Sequence, residues 1–195
     1  MNEDHVMAEK LDVNRFGFWI YIMSDLMLFA SLFATFMVLR HNIAGGPSGR
    51  EIFEPQMVLI QTIALLASSF TAALALSAKR HKLFGQMKLQ LVITGLLGLV
   101  FLGFELHEFQ GLLADGYSWQ ISGFLTSFFG LVGTHGLHIT IGLLWLISIF
   151  IYLIRRGFTA HIGRKIEIFV IFWHFLDIVW IGIFTIVYLF GIGVS

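Results

Sequence analysis

Apolar residues along the chain gather into five long runs that are separated by shorter polar segments. Each run is long enough to cross the hydrocarbon core of a bilayer, which takes about 20 helical residues. Backbone groups in hydrocarbon must be hydrogen-bonded within their own segment, and the runs lack the alternating pattern of barrel strands. The pattern therefore predicts an all-α, polytopic membrane protein with a five-transmembrane-helix bundle, whose helices cover about 16–39, 56–78, 88–110, 121–154 and 166–192.

The connections between these runs are short and contain turn-forming residues. Gly45-Gly46-Pro47 lies in the first connection and Asp115-Gly116 in the third, and both are sequences that reverse a chain. The first 15 residues are acidic and lack the basic start and cleavage site of a signal peptide, so we expect the first helix to be retained. We predict an N-terminal tail over 1–15 and one transmembrane domain over 16–195.

Composition narrows the possible functions. The chain is 57% hydrophobic and only 12% charged, whereas an average soluble domain is about 25% charged. It has no basic tract of the kind that binds nucleic acid, so we expect no nucleic-acid partner. The absence of cysteine excludes disulfides, thiolate-held metals, iron–sulfur clusters and c-type haem attachment.

Basic residues are distributed asymmetrically between the two sides of the predicted bundle. Cytoplasmic segments of membrane proteins retain Lys and Arg, which predicts a cytoplasmic N-terminus and a C-terminus outside. One side holds only Arg40 and Arg50. The other ten lie in the N-terminal tail and in the second and fourth connections, or next to them: Lys10, Arg15, Lys79, Arg80, Lys82, Lys88, Arg155, Arg156, Arg164 and Lys165.

Six of the ionisable residues within the apolar runs are the candidates for a functional site. An ionisable group at mid-membrane costs roughly 2.5 to 3.5 kcal/mol on insertion scales, so it usually faces the protein interior and a partner. At about 1.5 Å per residue, Asp25 and Asp177 lie roughly 14 to 17 Å from the inner surface. We expect an intramembrane polar cluster, structural or lipid-associated, formed by Asp25, Glu105, His135, His138, His174 and Asp177.

Helical spacing indicates how these groups are presented. His135 and His138 are one turn apart and share a face of the fourth helix. Gly130, Gly133 and Gly136 run beside them and should let a neighbouring helix approach closely. Helical periodicity also places His174, Asp177 and Tyr188 on one face of the fifth helix. Five groups, Glu105 excepted, are therefore expected to converge near mid-membrane.

Three chemistries are possible for such a cluster. His135, His138 and His174 could bind haem or a metal, although structural zinc and di-iron sites usually use more or different ligands. Asp25, Glu105 and Asp177 could relay protons, but the sequence has neither an inverted repeat nor a helix broken by an internal proline. Mutual hydrogen bonds that hold the bundle together are the interpretation we favour.

Five motifs are distributed along nearly the whole chain. They are Phe16-Gly17-Phe18-Trp19 with Ser24-Asp25, Phe104-Glu105-Leu106-His107-Glu108, Gly133-Thr134-His135-Gly136-Leu137-His138, Arg155-Arg156-Gly157 and Trp173-His174-Phe175-Leu176-Asp177-Ile178-Val179-Trp180. With these motifs the sequence resembles subunit III of the haem–copper respiratory oxidases, and the resemblance spans nearly the whole chain. The loop Gly45-Gly46-Pro47-Ser48-Gly49 is more similar to that of bacterial cytochrome bo-type ubiquinol oxidases than to that of cytochrome c oxidases.

The resemblance implies an accessory subunit of the bacterial inner membrane, with no catalytic residue and no cofactor of its own. Haem and copper would lie in a partner, the catalytic subunit I, which carries out quinol oxidation, oxygen reduction and proton pumping in aerobic respiration. The family places an intramembrane carboxylate at the position of Asp25 and binds phospholipid. A stand-alone haem- or metal-binding redox protein that uses His135, His138 and His174 is the alternative.

Overall fold

The computed structural model describes residues 3–43 and 55–189, with side chains from Phe16 onward. This part of the chain contains five α-helices and no strand, and each helix is long and apolar enough to span a membrane. The last helix continues directly into a π-helical turn, Phe184–Leu189. The helices are α1 (Glu3–Leu39), α2 (Pro55–Arg80), α3 (Phe84–Ala114), α4 (Gly123–Arg156) and α5 (Ala160–Ile183).

The predicted fold class and the five spans are confirmed, but the helices extend beyond the apolar runs. The first helix begins at Glu3, so most of the segment expected as a tail is helical, and the fifth begins at Ala160. Hydropathy marks only the part of a helix that suits hydrocarbon, whereas backbone hydrogen bonding continues into polar turns at either end. The predicted Gly-rich turn and the predicted end at residue 192 lie outside the described residues.

Local signals fix the starts of α4 and α5. Ser122 Oγ accepts a hydrogen bond from the Leu125 amide at 3.1 Å, and Thr159 Oγ1 accepts one from the Ile162 amide at 3.3 Å. Both are helix N-caps, which satisfy amides that have no partner inside the helix. Gly116, with φ of +85°, forms the turn between α3 and α4 that Asp115-Gly116 predicts.

The helices differ in how far they are enclosed. α5 packs against α1, α2 and α4, while α2 and α3 form an antiparallel hairpin. α1 lies against α4 and α5 and leaves large side chains such as Phe16, Met27 and Val38 exposed. Lipid tails are as apolar as these side chains, so their exposure is compatible with a membrane environment. The polar residues of the bundle are thus enclosed mainly around α4 and α5.

Trp173 of α5 is held by glycines on two neighbouring helices. A Cβ atom built at Gly98 of α3 would lie 2.9 Å from the indole atoms Cη2 and Cζ2, and one at Gly142 of α4 would lie 2.9 Å from Cζ3. These distances are shorter than real Cβ contacts, so both helices approach the indole only because these positions lack side chains. Trp173 is completely buried and joins three helices.

Of the three glycines predicted to let a helix approach α4, not all contact a neighbouring helix. Gly136 lies directly against the carboxyl group of Glu105 on α3. Gly133 faces the Phe109 ring, which would be 3.6 Å from an added Cβ. Nothing lies within 4 Å of a Cβ at Gly130. Close approach of α3 to α4 therefore depends on Gly136. An added Cβ at Gly133 would make only an ordinary contact, and Gly130 faces open space.

An ion pair links α2 to α5 at one end of the bundle. Lys79 Nζ lies 2.7 Å from Glu167 Oε1 and also donates to the Gly163 carbonyl at 2.7 Å.

We expect Glu167→Gln to lower the free energy of unfolding by less than about 1 kcal/mol, because the carboxylate is half exposed. Unfolding in mixed detergent at low and high salt would measure this. A cost that does not diminish as salt is added would contradict an exposed ion pair.

Candidate functional site

Asp25 and His138 form a pair between α1 and α4. Asp25 Oδ2 lies 3.5 Å from His138 Nε2, and both side chains are largely buried. The Phe29 ring lies one turn along α1 with its centroid 5.2 Å from that of the His138 ring. The pair is therefore shielded by an aromatic side chain of its own helix.

A backbone carbonyl determines which ring nitrogen of His138 carries a proton. His138 Nδ1 lies 2.8 Å from the Thr134 carbonyl oxygen, which only accepts hydrogen bonds, so Nδ1 carries a proton. Nε2 lies 3.5 Å from Asp25 Oδ2, which is an ion-pair distance, but Oδ2 has no hydrogen-bond partner among the described residues. The two groups therefore face each other across the interface between α1 and α4 without a hydrogen bond between them.

His174 and Asp177 meet on a serine of α2 rather than on the groups of α4. Ser69 Oγ lies 2.5 Å from His174 Nδ1, and Asp177 also faces the Ser69 hydroxyl. The two α5 residues are one turn apart, as their spacing predicts, and Ser69 lies between them. This group connects α2 to α5.

Two tryptophans of α5 add further hydrogen bonds to the same seam. Trp173 Nε1 donates to Ser68 Oγ at 2.9 Å, and Trp180 Nε1 donates to Thr62 Oγ1 at 3.1 Å. Sequence reasoning did not select the hydroxyl residues of α2, because single Ser and Thr residues are common in membrane helices and usually bond to their own backbone. Their helical spacing, at positions 62, 68 and 69, could have indicated a polar face of α2.

Thr62→Val is expected to destabilise the bundle by about 1 kcal/mol, because it leaves the buried Trp180 N–H without its acceptor. Thr140→Val is a matched control, since the Thr140 hydroxyl bonds to the Gly136 carbonyl of its own helix. Reversible unfolding in mixed micelles would compare the two variants. Equal stabilities would show that the Trp180 hydrogen bond contributes nothing.

Glu105 and His135 form the third group, between α3 and α4. Glu105 is 2% exposed and His135 is completely buried. The His135 ring is surrounded by the rings of Phe29, Phe101 and Trp180, with centroid distances of 6.4, 5.7 and 5.3 Å. Within the described residues, neither His135 nitrogen has a hydrogen-bond partner, and Glu105 Oε2 has none either.

The π-helical turn brings one more polar residue to this end of the bundle. Tyr188 OH donates to the carboxyl group of Glu108, 3.1 Å from Oε2 and 3.3 Å from Oε1. The Tyr188 ring is 6.1 Å from that of Trp180. Glu108 lies one turn after Glu105 on α3. Tyr188 therefore lies between the third group and the C-terminal end of α3.

The six candidate residues are thus distributed over three groups instead of one network. Asp25 faces His138, Glu105 lies against Gly136, the residue that follows His135, and His174 and Asp177 share Ser69. Phe29 contacts both histidines of α4 and links the first two groups. Among the described residues, no three His, Asp or Glu side chains are close enough together to hold a metal ion. The arrangement is best suited to joining neighbouring helices.

Comparison with known proteins identifies the family. The family model of cytochrome c oxidase subunit III matches residues 1–192. The chain belongs to the cytochrome c oxidase subunit III family. The resemblance that the sequence motifs predict is confirmed.

Curated relatives of this subunit III chain refine its position in the family. It is 50% identical to the cytochrome bo(3) ubiquinol oxidase subunit 3 of Pseudomonas aeruginosa over 98% of this chain and 92% of that protein. It is 46% identical to the quinol oxidase subunit 3 of Bacillus spizizenii over 95% of this chain and 91% of that protein. A Buchnera aphidicola ubiquinol oxidase subunit 3 is 44% identical over 93% of this chain and 96% of that protein. The expected likeness to subunits of bo-type quinol oxidases is confirmed.

Proposed function

We propose that this chain is the accessory subunit III of a bacterial terminal quinol oxidase. The observation that carries the proposal is the 50% identity to a ubiquinol oxidase subunit 3 over 98% of the chain. The described residues contain five helices that can span a membrane, which fits a subunit embedded beside a larger membrane complex. Its partner is the catalytic subunit I, in which haem and copper oxidise ubiquinol, reduce oxygen and pump protons.

Within that complex the chain acts as a scaffold rather than as a redox centre. Its three polar groups are placed between helices, where an interhelical hydrogen bond contributes about 0.6 kcal/mol on average. His135, His138 and His174 belong to three different groups, and His138 and His174 are already engaged by the Thr134 carbonyl and by Ser69. This division favours the scaffold over the alternative haem- or metal-binding protein.

The proposed location is the inner membrane, with the N-terminus in the cytoplasm and the C-terminus outside. The short turn between α2 and α3, the end of α4 and the start of α5 come together at one end of the bundle. Basic residues are concentrated at that end, which supports its cytoplasmic location. Phospholipids are proposed to cover the exposed apolar faces of α1 and the outer sides of α2 and α3.

Affinity purification of the tagged chain from membranes tests this function. We expect haem–copper catalytic subunit to co-purify in a one-to-one ratio, with ubiquinol oxidase activity in the eluate. In a strain that lacks the chain, the remaining complex should lose activity sooner during sustained turnover. Recovery of the chain without a haem protein would contradict the proposal.

A further inference from the structure

Glu105 and His135 present three buried polar atoms whose partners are not found among the described protein atoms: Glu105 Oε2 and both ring nitrogens of His135. Leaving a buried donor or acceptor unsatisfied costs about 1 to 3 kcal/mol. An imidazole ring always has at least one N–H, and in its neutral form the other nitrogen accepts. Three unsatisfied polar atoms at one interface would therefore destabilise the bundle considerably.

The three atoms lie at the same helix interface. The carboxyl group of Glu105 lies against the Cα of Gly136, the residue that follows His135 on α4. Phe101 precedes Glu105 by one turn of α3, and its ring is 5.7 Å from that of His135. Trp180 contacts both rings, at 4.6 Å from Phe101 and 5.3 Å from His135. The two polar side chains therefore lie at neighbouring positions of the same interface, where α3, α4 and α5 meet around aromatic rings.

Neither a lipid headgroup nor a neighbouring subunit can supply the missing partners. Glu105 is 2% exposed and His135 is not exposed at all within this single chain. Asp25 is 9% exposed, so it lies nearer to the surface of the bundle. A group that satisfies the Glu105 and His135 atoms must be small enough to sit inside the bundle, and it must both donate and accept hydrogen bonds.

We propose that Glu105 and His135 form an internal water-binding site, in which bound water bridges the acid form of Glu105 to the neutral imidazole of His135. An isolated carboxylate in an apolar interior is far costlier than its acid form. One water molecule satisfies Oε2 and one ring nitrogen, and a second satisfies the other nitrogen. Buried water in proteins typically makes about three hydrogen bonds of this kind.

The site has a polar connection to one end of the bundle. Glu108 follows Glu105 by one turn and is only partly buried, and it accepts the hydrogen bond from Tyr188. Tyr188 in turn contacts Trp180, which lines the site. The ionisable groups around the site are therefore Glu108 on its own helix, Tyr188 on the π-helical turn and His138 on α4. We expect water to reach the site past Glu108, from the end of the bundle where α3 finishes and α4 begins.

A high-resolution cryo-electron microscopy map of the complex that co-purifies with the chain tests the site without any substitution. We expect density for at least one water molecule within hydrogen-bond distance of both Glu105 and His135. A direct hydrogen bond between the two side chains, or an empty apolar gap between them, would overturn the proposal.

Infrared spectroscopy tests the acid form and the access of water. The spectrum of the wild-type complex should contain the C=O stretching band of a carboxylic acid that Glu105→Gln removes and that shifts in D2O. Glu167→Gln is the matched control, because Glu167 is half exposed and paired with Lys79, and it should remove no such band. A Glu105→Gln spectrum without this loss, or a band unchanged in D2O, would count against the site. If Glu105→Gln fails to assemble, the map decides.

Discussion

Gly98→Ala is expected to destabilise the bundle by about 1 to 3 kcal/mol relative to Gly103→Ala, although both changes add the same methyl group to α3. The Cβ at position 98 would lie 2.9 Å from two atoms of the Trp173 indole, a rigid group enclosed on all sides. At Gly103 nothing lies within 4 Å of an added Cβ. Replacing glycine by alanine in a helix gains about 1 kcal/mol of intrinsic propensity, and this gain cancels between the two variants.

Reversible unfolding in mixed micelles would measure the difference, and a double-mutant cycle would assign it. Trp173→Phe removes the part of the indole that meets position 98, so Gly98→Ala should cost less in that background than in the wild type. Gly142→Ala should behave in the same way, since its Cβ would lie 2.9 Å from Cζ3 of the same indole. Equal stabilities of the Gly98→Ala and Gly103→Ala variants would show that α3 does not pack on Trp173 as described.

Asp25→Asn is expected to weaken the interface between α1 and α4 by about 1 to 3 kcal/mol and to shorten the active lifetime of the oxidase. Asp25 Oδ2 lies 3.5 Å from His138 Nε2, while His138 Nδ1 is occupied by the Thr134 carbonyl. His138→Gln should have a similar effect because it removes the other half of the pair. The double variant should cost less than the sum of the single variants, as expected for two residues that act on each other.

Asp115→Asn is a suitable control, because Asp115 is an exposed carboxylate at the end of α3. Turnover of the purified complex over time, together with its phospholipid content, would be compared for the variants. If Asp25→Asn matched Asp115→Asn in assembly, lipid content and active lifetime, the role of the pair would be refuted.

The sequence was sufficient for the helices because lipid imposes one requirement on every residue of a span. Continuous apolar runs have only one way to satisfy their backbone in hydrocarbon, so five spans could be predicted with their approximate positions. The ends were less predictable. Ala160 and Glu3 lie in polar turns, where the hydropathy pattern stops although the helix continues.

The partners of the polar residues were harder to predict than their burial. Helical spacing places His174 and Asp177 on one face, but it does not give the rotation of α2, which brings Ser69 between them. Glu105 packs against α4 because Gly136 gives its carboxyl group room, a relation between two helices that no single-helix pattern contains. The π-helical turn that directs Tyr188 towards Glu108 also depends on tertiary packing.

This chain is proposed to support a redox complex without being a redox centre itself. Optical spectra and metal analysis test this proposal most directly. They would be measured for the purified chain alone and for the complex that co-purifies with it from membranes. We expect haem and copper signals in the complex and neither in the chain alone. A stoichiometric haem signal with bis-histidine character in the chain alone would contradict the claim and would return His135, His138 and His174 to consideration as ligands.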